Sequence, residues 1–142
     1  MEKTNSSTNN ESNQSDPKPI KPPKPEDKPF DLFINEELIP GLKEALIKNG
    51  FPPTEIKFSN GPRPVTGDNC WMVFGEISEK RRFWLCFDQN LITSNKTVAI
   101  AEQGASPSVL ESFLIDEKKT TKALLISRLL QRLNGQKWLG AN

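Results

Sequence analysis

The side chains that could carry chemistry are few, and their types and spacing exclude most of it. Histidine is absent from the 142 residues, which removes Ser-His and Cys-His nucleophile pairs and imidazole metal ligands. Cys70 and Cys86 are the only cysteines, too few to complete a structural zinc centre or an iron–sulfur cluster. Neither has a base nearby in sequence to hold a thiolate, so both are expected as reduced, buried small hydrophobes rather than as a disulfide. Glu111, Asp116 and Glu117 provide the paired carboxylates that glycoside hydrolysis needs. Helix capping and complementarity to the helix dipole account for the same residues. No GxGxxG run and no Walker-type phosphate loop occurs, so neither a dinucleotide nor a nucleoside triphosphate site is signalled. The expectation is a protein that is not an enzyme and holds no cofactor and no metal.

What remains are residues suited to contact. The run Arg81-Arg82-Phe83-Trp84-Leu85-Cys86-Phe87 is similar to the basic and aromatic strand with which RNA-recognition sheets stack bases. It lacks that motif's glycines, and the βαββαβ order is missing, so nucleic acid is not the expected partner. With a period of two, Phe83, Leu85 and Phe87 share the core face and Arg82, Trp84 and Cys86 the other. A Trp on that second face implies a surface covered by a helix or by another protein. Charge is uneven although the total is only +1. Residues 31–47 carry Asp31, Glu36, Glu37 and Glu44 against Lys43, whereas residues 117–142 carry Lys118, Lys119, Lys122, Arg128, Arg132 and Lys137 against Glu117. The basic end reads as a solvated helix face or as a patch that steers an acidic partner. Beyond Gly135, Trp138 and Leu139 either tuck onto the protein's own sheet or anchor in a neighbour. Arg82, Trp84, Arg128, Arg132, Lys137 and Trp138 are therefore the candidate partner-binding residues.

The elements that must position them follow from periodicity. Hydrophobic residues make up 35 % of the chain, below the usual value of about 45–50 %, and six prolines precede Phe30. Residues 1–29 contain no Leu, Val, Phe or Trp and only Ile20 as an aliphatic residue of that size. They read as a disordered arm, its Pro-Lys half a polyproline II spacer. Residues 30–142 then form one domain. Apolar spacing predicts a turn at 30–35 and a helix at 37–48, with Pro40 in its first turn and Asn49-Gly50 as the stop. Alternation predicts strands at 54–58, 70–77, 81–87 and 97–102, with Ser78-Glu79-Lys80 closing a hairpin. Two C-terminal helices are expected. Ser106-Pro107 and a Ser108–Glu111 capping box open the first, and Ala123, Ile126, Leu129, Leu130 and Leu133 line one face of the second. The fold class is α+β, a four-stranded antiparallel meander with one helix before it and two after. The first residues are polar throughout, without the apolar stretch of a secretory signal, and the longest apolar run, 123–126, is far short of a membrane span.

Longer strings carry a resemblance. They are Pro-Val-Thr-Gly at 64–67, Cys70-Trp71, Arg82-Phe83-Trp84, the segment from Ser108 through Leu110-Glu111-Ser112-Phe113-Leu114 to Asp116-Glu117, and residues 127–139. With Lys24–Phe30 added, these strings resemble a small domain family of cyanobacteria and plastids, formerly of unknown function. That family is similar to subunit V (NdhV) of the photosynthetic NAD(P)H dehydrogenase-like complex I. The resemblance implies a non-catalytic peripheral subunit on the cytoplasmic or stromal side of the thylakoid membrane, near the S and I subunits. There ferredoxin donates electrons that reach plastoquinone in cyclic electron flow. It implies protein partners, ferredoxin among the candidates, with no redox centre and no membrane insertion of its own. A free-standing assembly or regulatory factor of the photosynthetic apparatus is the alternative, and a small RNA-binding protein the lesser one.

Overall fold

The computed structural model describes residues 24–115 and 119–135. Residues 1–23 of the expected arm lie outside the described residues, as do Asp116, Glu117, Lys118, Lys137, Trp138 and Leu139. Lys24–Pro29, assigned to the arm by composition, belong to the fold. Pro25–Asp27 form a 3-10 turn, and Lys28 bonds Glu37 at 2.6 Å and Glu36 at 3.1 Å.

The first helix, α1, covers residues 30–48 without the expected break. Its ends, Phe30–Leu32 and Ile39–Lys48, are α-helical, and the middle, Phe33–Leu38, is wound more loosely as a π-helix. The amide of Ile39 reaches back five residues to the Ile34 carbonyl. Pro40 explains the wider winding. It has no N–H to donate, and its ring would collide with the carbonyl four residues back in a tight helix. Asn49-Gly50 ends α1 as expected, with Gly50 at φ 83°. The amides of Gly50 and Phe51 close onto Ile47 and Leu46 at 3.0 and 2.9 Å, a glycine-capped C-terminus.

Five antiparallel strands follow, and their order in the sheet is their order in the chain. They are β1 (Glu55–Pro62), β2 (Asn69–Ile77), β3 (Arg81–Phe87), β4 (Lys96–Ala101) and β5 (Glu111–Phe113). The sequence reading missed β5 and ended β1 too early. Asn60-Gly61-Pro62, read as a turn, pairs with Asn69, Cys70 and Trp71. The helix expected from Ser106 does not form. Residues 105–110 carry no regular structure, and Glu111, Ser112 and Phe113 pair with Val98, Thr97 and Lys96. The local capping pattern lost to tertiary pairing. The open backbone edge of β4 needed partners, and a strand there places Phe113 in the core, 6 % exposed. The second helix, α2, is Lys122–Gly135. Among the described residues the C-terminal region thus has one helix where two were expected.

Both helices contribute to one core with one face of the sheet. Phe33, Ile34, Leu38, Leu42 and Leu46 of α1 and Leu125, Leu129 and Leu133 of α2 are fully buried with Val73, Ile77, Phe83, Leu85 and Phe87. The buried stripe of α2 is therefore turned from the expected one. Leu125 replaces Ala123, which is exposed, and Ile126 and Leu130 are only half-buried. Two glycines permit this packing. A Cβ on Gly41 would lie 2.6 Å from Ile126 Cδ1, and one on Gly75 would lie 2.3 Å from Phe83 Cζ. Phe30, Phe58, Trp71 and Phe87 close one region of this core, with ring centroids 5.2–6.1 Å apart. Among the described residues, no helix is long and apolar enough to cross a membrane.

Candidate functional site

The other face of the sheet has its own composition. Strand alternation puts Lys57, Phe74, Trp84 and Ala99 in one cross-strand row and Glu55, Glu76, Arg82 and Ala101 in the next. Cys70, Met72 and Cys86 form a small buried cluster there, with Trp84 packed against it and no helical residue in it. Phe74 and Trp84 are half-buried, with ring centroids 5.3 Å apart. The Arg82 guanidinium lies 5.4 Å from the centre of the Trp84 ring, and Lys57 Nζ lies 5.8 Å from that of Phe74. Arg82 also donates to the carbonyls of Glu102 and Ala105, drawing the 102–105 loop to this end of the face. Of the expected contact residues, Arg82 and Trp84 are thus side by side. Phe74 completes the strip. The signal for it was present in its two-residue offset from Met72, but the register with Trp84 was not legible.

At the opposite end sits Arg63, which sequence reasoning missed altogether. Its guanidinium is 8 % exposed. Arg63 Nε donates to both Asp68 carboxylate oxygens at 3.1 and 3.2 Å, Nη1 to Thr97 Oγ1 at 2.9 Å and Nη2 to Asp88 Oδ1 at 2.6 Å. Burial opposes its charge, but the bonds to Asp88 and Asp68 outweigh burial and raise its pKa. Thr66 and Arg63 in turn hold Asp68 below the usual carboxylate range. This network ties loop 63–68 to the start of the 88–95 loop. It also holds Val65 at φ 75°, a conformation that β-branched residues rarely adopt. The Thr66 amide bonds the Pro64 carbonyl at 2.9 Å across it, and the Val65 side chain stands 53 % exposed.

The thiols are unpaired, as expected. Both are buried in the same small cluster. Burial, then the neighbouring Cys70, pushes the Cys86 thiol up to about 12, and burial raises Cys70. Neither is a ready nucleophile. Among the described residues no group of His, Cys, Asp and Glu could hold a metal ion.

The basic residues of α2 occupy the helical side, away from Trp84. Arg132 is committed within the chain. Its Nε and Nη2 donate to Glu111 at 2.6 and 2.5 Å, pinning β5 to α2. The pairing holds Glu111 below its ordinary pKa and Arg132 above. Glu111 is accordingly not a helix-capping residue, and the carboxylates weighed with it, Asp116 and Glu117, lie outside the described residues. Lys122 Nζ meets Glu37 at 3.2 Å, so part of the acidic and basic asymmetry is satisfied inside the molecule. Lys28 and Lys122 hold Glu37 below its usual pKa. The Lys122 amide is capped at 2.7 Å by Glu26, and Thr121 caps the Leu124 amide at 3.1 Å. Arg128 is exposed on α2. An open groove of about 1010 Å³ runs between α1 and α2, lined by Gly41, Glu44, Ile126, Leu130 and Gln131 among others.

The Phe74–Trp84 pair with its two flanking cations is a surface suited to contact. A search among curated proteins finds no match to the chain. A family model described as a protein of unknown function, DUF2996, matches residues 24–140, beginning at the residue that leads into the Pro25–Asp27 turn. That match spans most of the sequence, and the chain belongs to this family.

Proposed function

We propose that this protein is a non-catalytic peripheral subunit of the photosynthetic NAD(P)H dehydrogenase-like complex, supporting ferredoxin-dependent plastoquinone reduction. In this reading it is held on the cytoplasmic side of the thylakoid membrane by contacts with other subunits, the S and I subunits among them. The observation that carries the reading is the half-exposed Phe74–Trp84 pair on the sheet face opposite α1 and α2, flanked by Arg82 and Lys57. Aromatic and Arg side chains on a flat, partly dry surface are what dominate binding energy between proteins. Ferredoxin is a further candidate partner through the same surface. The choice of this complex rests on the resemblance carried by the sequence strings given above.

The same strip resembles a base-stacking platform, which keeps RNA binding as a second reading. Charge argues against it. On the two rows that contain the aromatics, Lys57 and Arg82 are offset by Glu55 and Glu76, whereas a phosphate backbone needs a net basic track. Co-migration with the intact complex on a native gel is the test. A subunit co-migrates and loses that association when Trp84 becomes Ala. A free-standing assembly factor does not co-migrate with the finished complex, and an RNA-binding protein instead shifts single-stranded RNA in a salt-dependent manner.

A further inference from the structure

The chain's sulfur is gathered in one place. Apart from Met1, the sulfur-bearing residues are Cys70, Met72 and Cys86. All three stand in the small cluster against which Trp84 packs, at 1, 7 and 0 % exposure. The buried residues of the larger core, on the helical face, are Phe, Ile, Leu and Val without a Cys or Met. Packing alone gives no reason for that division, because aliphatic side chains fill a dry space as well as thiols and thioethers do.

The strand register sets the geometry. Cys70 and Met72 are two residues apart on β2 and so share the far face, and Cys86 of β3 stands directly opposite Met72. Such a cross-strand pair holds its Cβ atoms about 4.5–5.5 Å apart, and the diagonal neighbour, here Cys70, lies at roughly 7–8 Å. That diagonal is wide for a disulfide, whose Cα atoms are ordinarily within about 6.8 Å, and the two thiols are unpaired. A metal ion spans it more readily, since two metal–sulfur bonds of about 2.3 Å hold sulfurs as far as about 4.6 Å apart. Two thiols and one thioether are too few for the zinc tetrahedron, and they are the soft donors that select Cu(I). The surroundings are small. Ser59 and Gly61 of β1 stand across from Met72 and Cys70, and Thr97 of β4 across from Cys86. A Cβ on Gly61 would come within 3.8 Å of the Met72 methyl carbon, so the glycine leaves Met72, the most exposed of the three, as the entry path.

We propose that Cys70, Met72 and Cys86 form a three-sulfur site for a soft monovalent ion, Cu(I). Each coordinating thiol gives its proton to solvent as its bond to copper forms, and the copper keeps its oxidation state. The site stands independently of the partner reading above. The test uses the full chain, reduced and free of oxygen, titrated with Cu(I) delivered as its bicinchoninate complex and, separately, with Zn(II). The expected result is one Cu(I) withdrawn per chain, sulfur-only coordination in the copper X-ray absorption spectrum, a near-ultraviolet circular dichroism signal that persists, and no stoichiometric uptake of Zn(II). Cys86→Ala should abolish the uptake. Met72→Leu keeps the side-chain volume and hence the packing, and should weaken Cu(I) binding several-fold with the fold intact. The proposal is overturned if the parent withdraws no copper, which leaves an apolar cluster only. It is equally overturned if Cys86→Ala or Met72→Leu binds as tightly as the parent, or if Zn(II) is taken up as well as Cu(I). Uptake that proceeds only as the near-ultraviolet signal disappears also overturns it, because the thiols are then captured from the unfolded chain.

Discussion

The two faces of one sheet differ in almost every physical respect. On the helical face, Phe83, Leu85 and Phe87 are at 0 % exposure and pack into a single core with α1 and α2. On the far face the intervening residues of the same strand, Arg82, Trp84 and Cys86, meet a small thiol cluster, a guanidinium and another half-exposed ring. Nothing about β-strand geometry requires this asymmetry. A covered face maximises apolar area removed from water, at roughly 25 cal/mol per Å². A face that keeps Trp and Phe half in water forgoes part of that gain, which is expected where another surface supplies the rest on binding. On the proposed reading, stability resides on one side and recognition on the other, separated by the thickness of a strand.

The comparison can be broken most directly by substituting neighbours in β3. Phe83→Ala should cost about 3–5 kcal/mol of unfolding free energy, read by urea titration. Trp84→Ala, one residue away, should weaken association with the complex roughly 30-fold or more, as loss of a central aromatic anchor does, while circular dichroism shows an intact fold. If Trp84→Ala destabilises as much as Phe83→Ala and leaves association unchanged, the far face is simply a second core.

The helical side can be tested more finely at its edges. Glu26→Ala removes the cap on the first amide of α2 and should cost about 1 kcal/mol, with faster amide exchange confined to the first turn of that helix. No change in Tm or exchange would return residues 24–29 to the status of a passive leader. The smallest effect is expected from Glu111→Gln. The Glu111 carboxylate is 39 % exposed, so solvent screens the pair with Arg132 and the loss at neutral pH should stay below about 1 kcal/mol. Its folded pKa is depressed. The contribution is thus present above the ordinary Glu value near ~4.3 and fades as pH falls through the lower folded value. Parent and Glu111→Gln stability curves should converge in acid. Curves that stay parallel would show that the carboxylate does not pin β5 to α2. Arg132→Glu is a poor probe of partner binding for the same reason, since it sets like charges together.

Much of this was legible in the sequence because it depends on local period and backbone chemistry. The strands 70–77 and 81–87, the hairpin at Ser78–Lys80, the Gly50 stop and the opposition of Phe83 to Trp84 all follow from alternation or from a residue's own φ preference. The π-winding before Pro40 and the fifth strand did not. The first depends on how a proline-bearing helix stays continuous while Phe33, Ile34 and Leu38 remain buried. The second depends on an edge strand finding a partner that, by local signals alone, reads as a helix start. Arg63, Asp68 and Asp88 are scattered polar residues in sequence and one buried network in space. Lys96 reads as an ordinary strand-end charge until Phe87 and Phe113 flank it in register. The sequence by itself determined which residues alternate, where the chain turns and which catalytic chemistries are excluded, since those properties reside in single residues and their near neighbours. Only the tertiary structure decided which polar groups lose their water and which find partners, because desolvation is a property of the packed whole.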